Sequence, residues 1–262
     1  MTTSLVDARS DFEVNVIGTF NLLEALRSLP AAPPLVYTST NKVYGGLEDL
    51  ELRSAGTRYE PVDESIRRSG ISEARALAFH TPYGCSKGAA EQYVLDYTRS
   101  FHGRAVVFRM SCIYGPHQFG TEDQGWVAHF LIRALEEMPL TIYGDGYQVR
   151  DILFIEDLVD AFLLAQQNMD HISGRPFNIG GGPERTISLV ELLAAVERQD
   201  GRRLRVSYQD ARAGDQRYYV SNTASFREAT GWKPKVSAVD GVRILYDWLA
   251  GTRKVDRAVV AV

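Results

Sequence analysis

Two apolar runs with one long helical segment between them constrain the fold of this chain most. Leu35-Val-Tyr-Thr-Ser-Thr40 reads as a buried strand that ends in hydroxyl residues, and Ala105-Val-Val-Phe-Arg-Met-Ser111 reads as a second one. The second follows directly on a helix that Thr81 can cap, with Pro82 at its first position and Gly103 closing it. Strands that alternate with helices place the chain in the α/β class.

The rest of the pattern agrees. Phe12, Val16, Phe20 and Leu23 recur at helical spacing, and Pro30 with Pro33-Pro34 ends that segment. Residues 125–137 read as a helix before a strand at 140–143. Residues 156–168 form a helix with acids in its first turn, Ser188 caps a helix at 189–197, and 241–249 supply one more. The connection after Tyr44 is polar and glycine-containing, and residues 253–262 read as a loose tail.

The helix between the two strands carries Tyr83 and Lys87. Residues at i and i+4 share a helix face, so the ammonium can sit near the phenol and favour its ionised form. A phenol that normally titrates near ~10 then becomes a base suited to neutral pH. As a bare spacing, Tyr-x-x-x-Lys is common among ordinary helix neighbours. Its place here is less ordinary, because open parallel sheets hold ligands at the carboxyl ends of their strands, where Thr40 also stands.

Several stretches together resemble one family. They are Tyr37-Thr-Ser-Thr-Asn-Lys-Val-Tyr-Gly45, Tyr83-x-x-x-Lys87, Arg109-Met-Ser-Cys-Ile-Tyr-Gly-Pro116, Tyr143-Gly-Asp-Gly-Tyr-Gln-Val-Arg-Asp151 with Phe154-Ile-Glu-Asp157, Phe177-Asn-Ile-Gly-Gly-Gly182 and Arg212-Ala-Gly-Asp215. The chain resembles extended short-chain dehydrogenases/reductases of the NAD-dependent epimerase/dehydratase type. Gln118-Phe-Gly-Thr-Glu-Asp-Gln-Gly-Trp126, with Asn41 and Lys42 after Thr40, is similar to the CDP-paratose 2-epimerases (CDP-tyvelose epimerases) within it. Read without the family, that stretch is a polar, glycine-rich loop of the kind that usually lies on a surface.

The resemblance implies NAD as cofactor and a nucleotide sugar as substrate. Hydride is taken from a sugar carbon, C2 of a CDP-hexose in this reading, and returned to the other face of a transient ketone. By the same resemblance Tyr83 takes the hydroxyl proton, Thr40 hydrogen-bonds that oxygen, and Lys87 lowers the tyrosine pKa and holds the nicotinamide ribose. Asn41, Gln118 and Trp126 contact substrate, and Arg150 and Arg212 grip its diphosphate. For Asn15 a structural role is as well supported as a catalytic one. The resemblance further implies a partial Rossmann-like parallel sheet, its first strands missing, with a smaller C-terminal substrate-binding domain: the nucleotide-fold part is expected over 1–117 with a return segment near 150–180, and the substrate domain over 118–149 and 181–262. A homodimer through the helices at 8–29 and 82–102 is a further expectation.

No Gly-x-x-Gly-x-x-Gly or Gly-x-Gly-x-x-Gly follows a strand in this sequence, so the loop that would cradle a dinucleotide pyrophosphate is not among its residues. The helix beginning near Asp7 resembles one that such a strand-loop-helix precedes. The expectation is therefore a segment encoded upstream of Met1, with a shortened protein as the rival. In that rival the chain is a sugar-nucleotide-binding protein, non-catalytic or dependent on a partner. A dehydratase or reductase is a further alternative, weakened because dehydratases commonly carry acids where this chain has Asn41-Lys42.

Composition narrows the partners. A formal net charge of −4 with Lys and Arg spread throughout supplies no basic footprint for nucleic acid. No apolar run reaches membrane-spanning length and no motif calls for a metal, so the cytoplasm is the expected compartment. Cys85 and Cys112 read as packing residues rather than a disulfide or nucleophiles.

Overall fold

The computed structural model describes residues 2–212 and 214–260, with side chains from Ser4 to Thr252 among them. Its central sheet is parallel: Leu35–Thr40 and Pro176–Ile179 flank Ala105–Met110. Residues 105–109 are all buried because the strand is covered on both faces, which is why residues 105–108 read as one continuous apolar run. Ala105 and Val107 pack with Leu23, Leu26, Ala90, Val94 and Tyr97, while Val106 and Phe108 pack with Leu158, Ala161, Ala165, Phe177 and Phe226. The first group belongs to the Thr81–Phe101 helix and the helix before it, the second to the Ile155–Gln167 helix and its neighbours.

One row of this sheet is polar. Ser39, Arg109 and Asn178 are in register across the three strands. Arg109 reaches Glu91 of the Thr81–Phe101 helix at 2.6 Å, with the two side chains 4% and 0% exposed. Ser39 Oγ donates to the same carboxylate at 2.6 Å, and Arg109 Nη1 donates to the Tyr44 hydroxyl, which donates in turn to Asn178 Oδ1. Every buried polar atom of the row is thus bonded, and the helix is tied to the sheet at one position.

A second sheet is built around Val149–Phe154, which pairs in parallel with Cys112–Tyr114 and Tyr218–Tyr219 and antiparallel with Thr186–Ser188. The helices Trp126–Leu135, Leu189–Asp200 and Ala238–Val260 close a core around it and around Leu140–Tyr143. Leu189–Asp200 starts with a full capping box, in which Ser188 and Glu191 each bond the other's backbone N–H.

Several expectations need correction. The polar connection after Tyr44 contains an antiparallel hairpin, Leu52–Ala55 with Arg58–Pro61, and a short helix, Glu64–Ser69. The segment is too short and mixed for periodicity to reveal it. The first helix is interrupted by a π turn at Glu13–Ile17, so its stripe rotates: Val16 and Leu23 are buried, whereas Phe12 and Phe20 stay 51% and 41% exposed. The Thr81 hydroxyl accepts from the Gly84 N–H at 3.3 Å, as the capping reading expects, while His102, not Gly103, takes the left-handed closing position at φ 58°. The expected tail is helical through Val260, and its last two residues lie outside the described ones. Cys85 is exposed and does not pack. No helix among the described residues is long and apolar enough to cross a membrane.

Candidate active site

A cleft of about 430 Å³ opens beside the carboxyl end of Leu35–Thr40. It is lined by Thr40, Asn41, Tyr83, Gln118, Trp126, Arg150 and Arg212, which come from five separate stretches of chain. Of the site residues read from the sequence, Lys87 alone stands outside this lining.

Thr40 caps the short helical turn Asn41–Tyr44 by accepting from Lys42 N. Its hydroxyl also interacts with the Tyr83 phenol. Burial raises the pKa of Tyr83, and the Thr40 hydrogen bond pulls it back. The ammonium of Lys87 lies over the Tyr37 ring, 4.4 Å from its centroid. The expectation that Lys87 depresses the phenol is therefore not what sets Tyr83 in this structure. Burial lowers Lys87 itself to about 8, opposed by Glu91. Asn15 Nδ2 donates to Ser86 Oγ at 3.0 Å, fastening the first helix to the Tyr83 helix.

The loop from Gln118 to Trp126 forms one wall. Gln118 Nε2 donates to the Ile113 carbonyl, while its Oε1 is buried without a hydrogen-bond partner. Trp126 Nε1 donates to Cys112 Sγ at 3.3 Å. Gly125 holds φ +72°, a conformation that favours glycine, and a Cβ there would meet the Gln118 side chain at 3.0 Å and oblige it to shift.

At the other end the two arginines are held by acids. Arg150 Nη2 meets Asp215 Oδ1 at 2.8 Å and also bonds the Gln216 carbonyl. Arg212 lies 3.7 Å from the Tyr143 ring centroid, contacts Glu122 at 2.7 Å and Asp123 at 3.4 Å, and donates to the Glu122 carbonyl. Two groups escaped the sequence reading. Lys42 lines the cleft with its Nζ 3.3 Å from the Gly214 carbonyl and 3.7 Å from Asp215. Gln216, fully buried, bonds Asn41 and the Gly45 carbonyl and so holds the turn that positions both. Lys42 and Asp215 both stand in the quoted motifs, but no local pattern says that position 42 meets positions 214–216.

Burial, with Arg150 adding to it and Asp215 opposing, brings Lys42 down to about 8 from 10.5. A lysine lowered in the folded state destabilises that state fully below about pH 8, and the penalty fades as pH rises toward 10.5. Lys42→Met is thus expected to stabilise the chain at pH 7, on the order of 2 kcal/mol, with the gain shrinking by pH 10. Urea unfolding of both proteins at the two pH values measures it, and equal stabilities at pH 7 would remove the burial argument.

A parallel α/β sheet with a hydroxyl, a tyrosine and a lysine at its carboxyl edge defines a class of protein, and comparison with known proteins agrees. Residues 2–180 match the model of the NAD dependent epimerase/dehydratase family. The chain is 46% identical to the CDP-paratose 2-epimerase of Salmonella typhi over 253 residues, covering 95% of this chain and 74% of that protein. Among solved structures, the UDP-glucose 4-epimerase of Thermotoga maritima with UDP-glucose superposes with a TM-score of 0.82 at 26% identity, over 96% of this chain and 74% of that one. The UDP-glucose 4-epimerase of Thermus thermophilus in complex with NAD gives 0.78 at 31% identity, over 95% and 73%. The chain belongs to the NAD dependent epimerase/dehydratase family.

The residues present fit one end of a dinucleotide. Lys87 is partly buried, yet its ammonium makes no hydrogen bond or ion pair among the described residues, which leaves three donors beside Tyr83 for the hydroxyls of a ribose.

Proposed function

We propose that this chain carries the catalytic and substrate-binding part of an NAD-dependent nucleotide-sugar epimerase acting at C2 of a CDP-hexose. The observation that carries the reading is that Thr40 and Tyr83 line the same cleft as Arg150 and Arg212, so a proton-transfer pair and a pair of cations suited to phosphate share one cavity. The 46% identity to a CDP-paratose 2-epimerase supports the choice of sugar and carbon, as does Asn41-Lys42 where a dehydratase commonly carries acids.

In this reading Tyr83 and Lys87 hold the nicotinamide ribose, and NAD when bound supplies the acceptance and return of hydride. Tyr83 accepts the proton of the substrate hydroxyl as the ketone forms and returns it as the alcohol is restored. Thr40 holds the same oxygen and stabilises the charge that develops on it. Gln118, with its Oε1 unpartnered, and Trp126 contact substrate from the loop side. Arg150 and Arg212 exchange Asp215, Glu122 and Asp123 for the diphosphate. Two copies associate through the exposed apolar faces of the first helix and the Thr81–Phe101 helix, where Phe20 meets Tyr93 at 5.6 Å.

Calorimetry on the chain tests the substrate end. CDP is expected to bind more tightly than UDP or GDP, with affinity that falls as salt is raised. Arg212→Ala is expected to weaken it ~10–100-fold, the value of one charge-assisted contact. Equal affinity for the three nucleotides would refute the CDP assignment. Unchanged CDP affinity in a folded Arg212→Ala chain would instead remove this arginine from the site.

A further inference from the structure

A second cavity, of about 460 Å³, lies away from the cleft, between the Gly181-Gly182-Pro183 turn and residues 222–234. Its size is within the ~300–1,000 Å³ typical of small-molecule sites. In a chain of net charge −4, four cations line it: Arg68, Arg185, Arg227 and Lys233. Arg185 is fixed in place, because its Nε and Nη2 donate at 2.8 Å to the carbonyls of Val236 and Pro234 and its side chain is 15% exposed.

Acids offset only part of this charge. Glu184 approaches Arg185 at 3.5 Å and is itself 87% exposed, and Glu64 pairs with Arg68 at 3.3 Å. Arg227 and Lys233 make no ion pair or hydrogen bond through their side chains among the described residues. The Thr223 hydroxyl in the wall is likewise not used to cap the following helix. Two unpaired cations, a pre-positioned guanidinium and a free hydroxyl form a donor-rich wall, opposed by the exposed Glu184 carboxylate and by the Gly182 carbonyl, which accepts from Arg185 N–H. Trp232, the aromatic residue of the lining, is 2% exposed and offers little ring face for a base to stack on.

We infer that this cavity is a second anion site that takes a phosphoryl dianion, free or carried by a small metabolite. Donor-rich, cation-lined concavities match phosphate because it presents several strong acceptor oxygens at once. The site is also joined to the cleft. The buried Asp151 carboxylate accepts from Ser111 Oγ, which lines the cleft, and at 3.0 Å from the N–H of Gly182, which lines the second cavity. Asp151 follows Arg150 on the same strand, so an anion that draws on the Gly182 turn acts one residue from a group of the first site.

The test is calorimetric titration at constant ionic strength of inorganic phosphate and, separately, of a hexose 1-phosphate into three proteins: the unaltered chain, the Arg227→Glu/Lys233→Glu double variant and Arg212→Ala. Both reversed residues are exposed, so the double variant is expected to keep the unaltered melting temperature. Binding that survives in Arg212→Ala and falls at least tenfold in the double variant supports the site. Binding of both ligands then identifies the free phosphoryl group as sufficient, and binding of the hexose phosphate alone identifies a metabolite. Absence of binding by either ligand overturns the inference. So does binding that the double reversal leaves unchanged, or that Arg212→Ala abolishes, since the anion then sits in the first cleft.

Discussion

Tyr83→Phe is expected to lower turnover ~10²–10⁴-fold, the span of a lost general acid–base group, when assayed with NAD. Only the phenolic oxygen is removed, so the ring still fills its place between Thr40 and the helix start, and substrate affinity is expected to change little. The pH profile carries a second signature. Burial raises Tyr83 and the Thr40 hydrogen bond lowers it, so Thr40→Val is expected to move the acidic limb of the profile, where the base becomes ionised, upward as well as reduce the rate. A Tyr83→Phe protein that turns over at the unaltered rate removes the central assignment. A Thr40→Val profile that loses rate without shifting leaves Thr40 as an oxyanion ligand only.

The second large effect is on stability. Glu91→Ala leaves the Arg109 guanidinium buried without its carboxylate and strips Ser39 of its acceptor, a loss of ~3–5 kcal/mol for breaking a buried pair. For a chain of this length that lowers the melting midpoint by on the order of 10 °C. Replacing both partners, as Glu91→Leu with Arg109→Met, is expected to recover much of the loss, because the cost lies in the stranded charge rather than in the missing attraction. Tyr83, Lys87 and Glu91 recur every four residues on one helix, so the double variant separates two roles of the pair. Recovery of stability with a persistent drop in kcat would show that the pair also sets where Tyr83 stands. A single variant that melts with the unaltered protein would contradict the burial seen here.

Much of the frame was legible from local pattern. Residues 105–108 are apolar on both faces because they lie between two helical layers, and a continuous run of that kind has few other homes. Tyr83, Lys87 and Thr40 could be named because their chemistry depends on short-range placement: a helix face and a strand end. Arg150, Arg212, Gln118 and Trp126 came from resemblance, and the fold brings all four to one cavity.

What local pattern could not carry is the set of contacts between distant segments. The side chain of Lys87 could point toward Tyr83 or toward Tyr37 at the same helical spacing, and only packing against Leu35–Thr40 selects the ring of Tyr37. The π turn at Glu13–Ile17 alters which residues of an apparently regular stripe are covered, a change in helix winding that leaves composition untouched. Lys42 is polar and would read as surface anywhere, yet it is drawn into the cleft because Asp215 and the Gly214 carbonyl arrive beside it. The sequence by itself determined the parallel α/β frame and the candidates for the reacting groups, because periodicity and strand-end chemistry act over a few residues. The tertiary structure alone decided which charges face one another, because pairing across more than a hundred residues depends on the path of the whole chain.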